Sequence, residues 1–528
     1  MPDNANGETF RKEGKGQRTD RRLAIFKTFL LVALVVITAY GMLNKGLFGE
    51  ERWIPVAGMV LAITFVSLFV RGFYRAVPRV GWMLVGLMAV LVAVKGLSMI
   101  WTISPTETIE ELLRSSMYLA AFAVALAAAA SRRLVAPLID GMNLIVLAVA
   151  GYGVLQKINP VEYNTRTLDG VRIGSTLEYA NTVALILGMG IVLGLARMTQ
   201  LRHPVYRGLY SAALLIFSAS LYFTFSRGGM LALVVALVGL FVLSNNRLQM
   251  FANLLLFSGP LAWLVWRAQS HENLFALKIP AEQRLADGAA LRSDLIVALI
   301  AAFLFQALYA ALAERYDLIP TVYRALGVAA VVAVLVGAGA LTYVVLDEQR
   351  GSGGITSAFN EGLGAKKDAG ANERLTSISS NLRSAYWSVA WEEWKERPLT
   401  GTGAGTFHYT WLENRPNFSS VRQAHNVYLE QGTETGVVAF LALGGFAALL
   451  GLYLVWATWK ASGERRLLLA GLTAATGAYL LHSAVEWHWY IPPSTLFFFV
   501  LAGVAVHLAS KTEWDAGEND RGRIDAEG

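Results

Sequence analysis

The chain has 528 residues, of which 55% are hydrophobic and only 16% charged, and its mean hydropathy is +0.47. A soluble chain of this length would carry roughly 25% charged residues, so a soluble globular protein is excluded. Cysteine is absent, which removes disulfides, thiolate catalysis and cysteine-held metal together. The net charge of +7 matters through its distribution between apolar runs, and a nucleic-acid partner is not expected.

A stretch of about 20 apolar residues crosses the hydrocarbon core as a helix. The runs here are too long and uniform for barrel strands, which alternate over about 10 residues. The expected fold is therefore an all-α polytopic membrane protein of about 12–14 transmembrane helices. In chain order the apolar runs are 24–42, 53–70, 80–100, 115–130, 134–156, 177–196, 208–224, 229–243, 248–266, 293–313, 325–346, 432–457, 467–485 and 491–510. The runs at 115–130 and 229–243 are short enough for a re-entrant element. Residues 1–23 form a basic tail, and the full-length apolar run that follows has no small-residue cleavage site, so an uncleaved first helix is expected.

This divides the chain into a tail (1–23), a bundle of about eleven spans (24–346), a large polar loop (347–431), three more spans (432–510) and a second tail (511–528). Lys and Arg accumulate in short cytoplasmic loops. With the N-terminus inside, the inner segments hold 23 of them against 11 in the short outer loops. The chain therefore reads as N-in and C-in, and the large loop as extracytoplasmic.

Candidate chemistry gathers on that outer face. Lys95 lies near the outer end of its run and can snorkel, and Glu50-Glu51 and Glu110-Glu111 read as interface charges without evident partners. Arg166 and Arg172 stand in the loop 157–176, with Asn181 opening the next run; an arginine fork suits phosphate. Arg227, in Phe225-Ser226-Arg227-Gly228-Gly229, joins two spans with almost no loop, so its charge sits at membrane depth, where ionisable groups usually face a protein interior or wet cavity. Segment 381–397 reads as a helix whose Tyr386, Trp387, Trp391 and Trp394 share a face, with Arg383 near its start. Gly401 to Phe407 lacks the ending of a nucleotide-binding loop, but Gly403 and Gly405 could bring backbone N–H groups to an anion. His425, at the foot of the loop before Asn426 and Glu434, can take a proton near neutral pH.

Together these motifs resemble the O-antigen ligase and O-antigen polymerase superfamily of bacterial envelope glycosyltransferases. The features that match are Arg172-Ile173-Gly174 with Asn181, then Phe225-Ser226-Arg227-Gly228, Arg383 with Trp387, Pro398 through Phe407, and His425-Asn426 followed by Glu434-Thr435-Gly436. The resemblance implies a GT-C-like fold in the cytoplasmic (inner) membrane and transfer of a glycan from undecaprenyl diphosphate to an acceptor hydroxyl, on lipid A-core or another lipid-linked glycan. No metal or other cofactor is implied. Carried onto this chain, Arg227 and Arg383 would hold the diphosphate with help from Arg172 or Arg166. His425 would be the general base, with Asn426 and Glu434 orienting it. Ligase and polymerase use the same residues, so the sequence leaves both open. A transporter of lipid-linked or anionic solutes, with charges such as Lys95 buried at mid-membrane, is a rival reading, and a non-catalytic scaffold is another.

Overall fold

The computed structural model describes residues 4–129, 132–164, 171–276, 279–313, 325–329, 331–336 and 382–510. Among them every regular element is helical. The principal helices are α1 (Asn4–Leu43), α2 (Glu50–Leu68), α3 (Arg79–Leu97), α4 (Pro105–Ala128), α5 (Arg132–Ile158), α6 (Ala180–Gln200), α7 (Pro204–Thr224), α8 (Arg227–Leu243), α9 (Arg247–Gln269) and α10 (Leu285–Ala313). They continue with α11 (Arg383–Glu396), α12 (Phe407–Asn414), α13 (Val427–Lys460), α14 (Gly463–His482) and α15 (Pro492–Ala509). Ten helices among the described residues are long and apolar enough to cross a membrane. The chain is an all-α polytopic membrane protein. Residues 325–329 and 331–336 are also helical; the rest of the run expected at 325–346 lies outside the described residues.

Burial runs from the centre outward. Helices α6 and α15 are enclosed along nearly their whole length, whereas Phe65, Leu144, Trp266, Leu308 and Leu452 on peripheral helices project outward from the bundle. Lipid tails are as apolar as leucine, so association relies on close packing through small residues. Gly190 of α6 lies against Val146 of α5, and Gly503 of α15 lies against Ala125 of α4. A side chain at either glycine would force the helix pair apart.

The short run expected at 115–130 belongs to a longer helix, α4, which starts at Pro105, where its missing N–H and fixed φ suit the first turn. That first half carries charge because the charges are paired. Lys95 is fully buried, and its Nζ lies 3.1 Å from Glu111 Oε2. Glu111 also pairs with Arg114, whose guanidinium stacks 4.6 Å from the Trp53 ring and 5.1 Å from that of Tyr490. Snorkelling of Lys95 and an interface role for Glu111 are thus both replaced by a buried ionic link between α3 and α4. Removing one partner of such a pair typically costs about 3–5 kcal/mol. Glu111→Ala is expected to lower the thermal unfolding midpoint in detergent by a corresponding amount; an unchanged midpoint would refute the link.

Helix α13 is broken at Gly436, whose φ of 76° lies in the left-handed region. The break is filled by the segment that follows α11. The Gly403 N–H donates to the Glu434 carbonyl at 2.8 Å, and the Val437 N–H donates to the Pro398 carbonyl at 2.9 Å. Tyr386 and Ala390 of α11 meet Phe407 and Trp411 of α12 and Ala424 in a small core of their own. Trp394 lies flat on Gly432, while Trp391 stays exposed. The aromatic face expected for 381–397 is thus divided between this core, the side of α13 and solvent.

Candidate functional site

The starts of α6, α8, α11 and α13 meet the turn between α14 and α15 at one end of the bundle. Each of the four starts is entered through a non-glycine residue with positive φ: Glu178 (56°), Phe225 (48°), Leu382 (68°) and His425 (56°). Such conformations are uncommon, cost of order 1–3 kcal/mol each, and gather at functional sites. The four N-termini bring their partial positive charge to one place, a setting that favours an anion.

At the centre is Glu486, fully buried in the α14–α15 turn. Arg383 Nη2 donates to its Oε1, and Asn181 Nδ2 donates to the same oxygen at 2.7 Å. The Tyr179 hydroxyl donates to Oε2 at 2.7 Å and accepts from Trp487 Nε1 at 2.9 Å. Arg172 joins through Asn181, its Nη2 donating to Asn181 Oδ1 at 2.6 Å while its Nε donates to the Thr224 carbonyl at 2.7 Å. His425 Nδ1 lies 3.4 Å from Glu486 Oε2, just beyond a good hydrogen bond. One carboxylate thus gathers four of the residues singled out from sequence: Arg172, Asn181, Arg383 and His425.

His425 is held from both sides. The preceding Ala424 N–H donates to Glu430 Oε2 at 2.6 Å, and Glu430 also accepts from the Tyr490 hydroxyl. Behind it, Asn426 caps α13, its Oδ1 accepting from the Tyr428 and Leu429 N–H groups at 3.1 and 3.0 Å. The His425 ring stacks on Tyr386 with centroids 5.6 Å apart and keeps 17% of its side chain exposed. Burial, and then the nearby Arg383 charge, push its pKa down from 6.5 to about 3. The ring is therefore neutral at physiological pH, with a nitrogen available to accept a proton. Burial also holds the Arg383 guanidinium below its ordinary pKa, and Arg172 adds to this.

Other expected site residues have different surroundings. Glu434 accepts from the Gly405 and Phe407 N–H groups at 2.8 and 3.1 Å. Gly403 and Gly405 therefore present occupied N–H groups, and their positive φ values serve the tight approach of this loop to Thr102 and Glu107. The anion cradle expected there is replaced by a packing junction anchored on Glu434. Asn426 likewise acts as a helix cap. Arg227 stands half-buried at the first position of α8, behind the Ser226 cap. Arg166 lies outside the described residues.

The sequence reading missed Glu486, Tyr179 and the histidines His482 and His488. The available signal was His482 through Tyr490, where two histidines, a glutamate and three aromatic residues fall at the junction of two apolar runs. Polar groups so placed in a membrane protein are costly and usually functional.

A family model described as O-antigen ligase matches residues 288–444, the stretch that carries Arg383, the Gly401–Phe407 loop, His425 and Glu434. No curated protein matches the chain.

Proposed function

We propose, for a chain that belongs to the O-antigen ligase superfamily and is thus a glycan-transferring membrane enzyme, that it moves a glycan from undecaprenyl diphosphate to an acceptor hydroxyl at the outer face of the cytoplasmic membrane. The observation that carries this reading is the meeting of His425, Arg383 and, through Asn181, Arg172 around the buried Glu486. Four helix N-termini frame the same place.

In the proposed reaction the acceptor oxygen bonds to the anomeric carbon of the donor as the bond from that carbon to the diphosphate oxygen breaks. The hydroxyl proton passes to His425 Nε2, since Nδ1 faces Glu486. The resulting imidazolium is stabilised by that carboxylate, which draws the 3.4 Å contact into a charge-assisted hydrogen bond. The lipid diphosphate departs with the negative charge, which Arg227 and Arg383 stabilise with Arg172 behind them. This charge stabilisation is assigned to guanidinium groups and helix ends.

The test is reconstitution in liposomes with an undecaprenyl-diphosphate-linked glycan and a panel of acceptors. Arg227→Ala is expected to lower the rate about 10²–10³-fold, and a chelator is expected to leave the wild-type rate unchanged. Transfer at full rate by Arg227→Ala would remove the diphosphate role, and loss of activity on chelation would remove the metal-free mechanism. Capping of an acceptor by one finished glycan identifies a ligase, whereas stepwise extension of a lipid-linked glycan identifies a polymerase.

A further inference from the structure

Behind Arg227 lies a chain of polar groups that the proposed reaction does not use. His482, the last residue of α14, is 2% exposed. Its Nδ1 lies 3.0 Å from His488 Nε2, and His488 Nδ1 lies 2.9 Å from the Thr182 hydroxyl in the first turn of α6. The remaining nitrogen, His482 Nε2, is buried and has no hydrogen-bond partner. A buried, unsatisfied ring nitrogen is expensive and calls for an explanation.

The direction of that nitrogen supplies one. Gly228 is the second residue of α8 and rests against the His482 ring, and a Cβ there would lie 2.7 Å from Nε2, nearer than to any other ring atom. His482 Nε2 therefore points at the opening turn of a 17-residue helix, where backbone N–H groups and the helix dipole favour negative charge. Arg383 lies within Coulombic reach of both histidines and adds positive charge to their surroundings. Glycine at 228 lets the ring and the helix end come into direct contact.

We infer that His482 Nε2–H and the first turn of α8 together form a diphosphate-binding subsite, with His488 and Thr182 fixing the His482 tautomer. This deepens the reading of Arg227 as a diphosphate ligand and rests on it. An anion is only an acceptor, so a bound diphosphate requires the proton on His482 Nε2. His482 Nδ1 then accepts from His488 Nε2–H, and His488 Nδ1 accepts from the Thr182 hydroxyl, leaving every atom of the chain satisfied. His482 is a binding group in this scheme, while His488 and Thr182 are positioning residues.

The experiment is isothermal titration of the full-length protein in detergent with inorganic pyrophosphate and, in a separate arm, with undecaprenyl diphosphate in mixed micelles. His482→Phe is expected to weaken binding of both about 10- to 100-fold, the range for a lost hydrogen bond to a charged group. Thr182→Val is expected to weaken it a few-fold, and His482→Gln to restore part of the loss through its amide donor. Tighter binding of the lipid form would identify the donor lipid as the source of the diphosphate.

Nitrogen-15 histidine spectra of the wild type, with His482 assigned by its loss in His482→Gln, report the tautomer without relying on any variant's stability. The Nε2–H form with pyrophosphate bound supports the inference, and the Nδ1–H form overturns it. Pyrophosphate affinity unchanged in a folded His482→Phe protein also overturns it, even if glycan transfer is detected. Affinity that depends on His482 in a protein without transfer activity would keep the anion site and discard the transferase reading.

Discussion

Replacing His425 with alanine is expected to lower glycan transfer about 10²–10⁴-fold, the contribution of a positioned general base. The loss should fall on kcat, with the KM for the lipid donor changed little, because the ring is assigned to the acceptor hydroxyl and not to the diphosphate. The pH profile offers a second check. Burial and Arg383 hold the His425 pKa near 3 in place of 6.5, so the wild-type rate should show no acidic limb around pH 6.5. The same shift bears on stability. The folded state binds this proton less readily than the unfolded chain, so His425 leaves stability intact above pH 6.5 and lowers it as pH falls toward 3. Any stability difference between wild type and His425→Ala should therefore move in favour of the variant between pH 7.5 and pH 5, as read by thermal unfolding. A His425→Ala enzyme that transfers glycan at the wild-type rate would end the assignment.

Glu486→Ala is expected to damage both folding and catalysis. The carboxylate accepts from Arg383, Asn181 and Tyr179 in a fully buried position, and its loss leaves the Arg383 guanidinium, only 20% exposed, without its counter-charge. Stranding one partner of a buried pair costs about 3–5 kcal/mol, which should appear as a lowered unfolding midpoint. Catalysis should fall as well, because in the proposed reaction the carboxylate facing His425 Nδ1 orients the ring and stabilises the imidazolium. A double-mutant cycle separates these contributions. Combined with Arg383→Met, Glu486→Leu should cost less than the two single changes added together, since no unpaired charge remains. Additive losses would show that the two side chains act independently.

Much was determined by the sequence itself. Length and uniformity of the apolar runs dictate helices, because a backbone in lipid must satisfy its hydrogen bonds within each segment. The helix over 383–396 follows from its apolar spacing. Arg172, Asn181, Arg383 and His425 stood out because charge and polarity are sparse in such a chain, and the tertiary structure brings all four to one carboxylate.

That carboxylate could not be singled out from spacing. Glu486 lies 103 residues from Arg383 and 305 from Asn181 along the chain, and only the packing of α6, α11, α13 and the α14–α15 turn places them together. The same holds for Lys95 and Glu111, which have no evident partner in the sequence until the contact of α3 with α4 makes them a buried pair. It holds also for the Gly401–Gly405 loop, whose anion-cradle pattern is diverted to packing because Glu434 occupies its N–H groups. Local sequence sets which segments are helical and which residues carry chemistry. The partner that each buried charge finds depends on long-range packing, since burial penalises an unpaired charge wherever its partner lies in the chain.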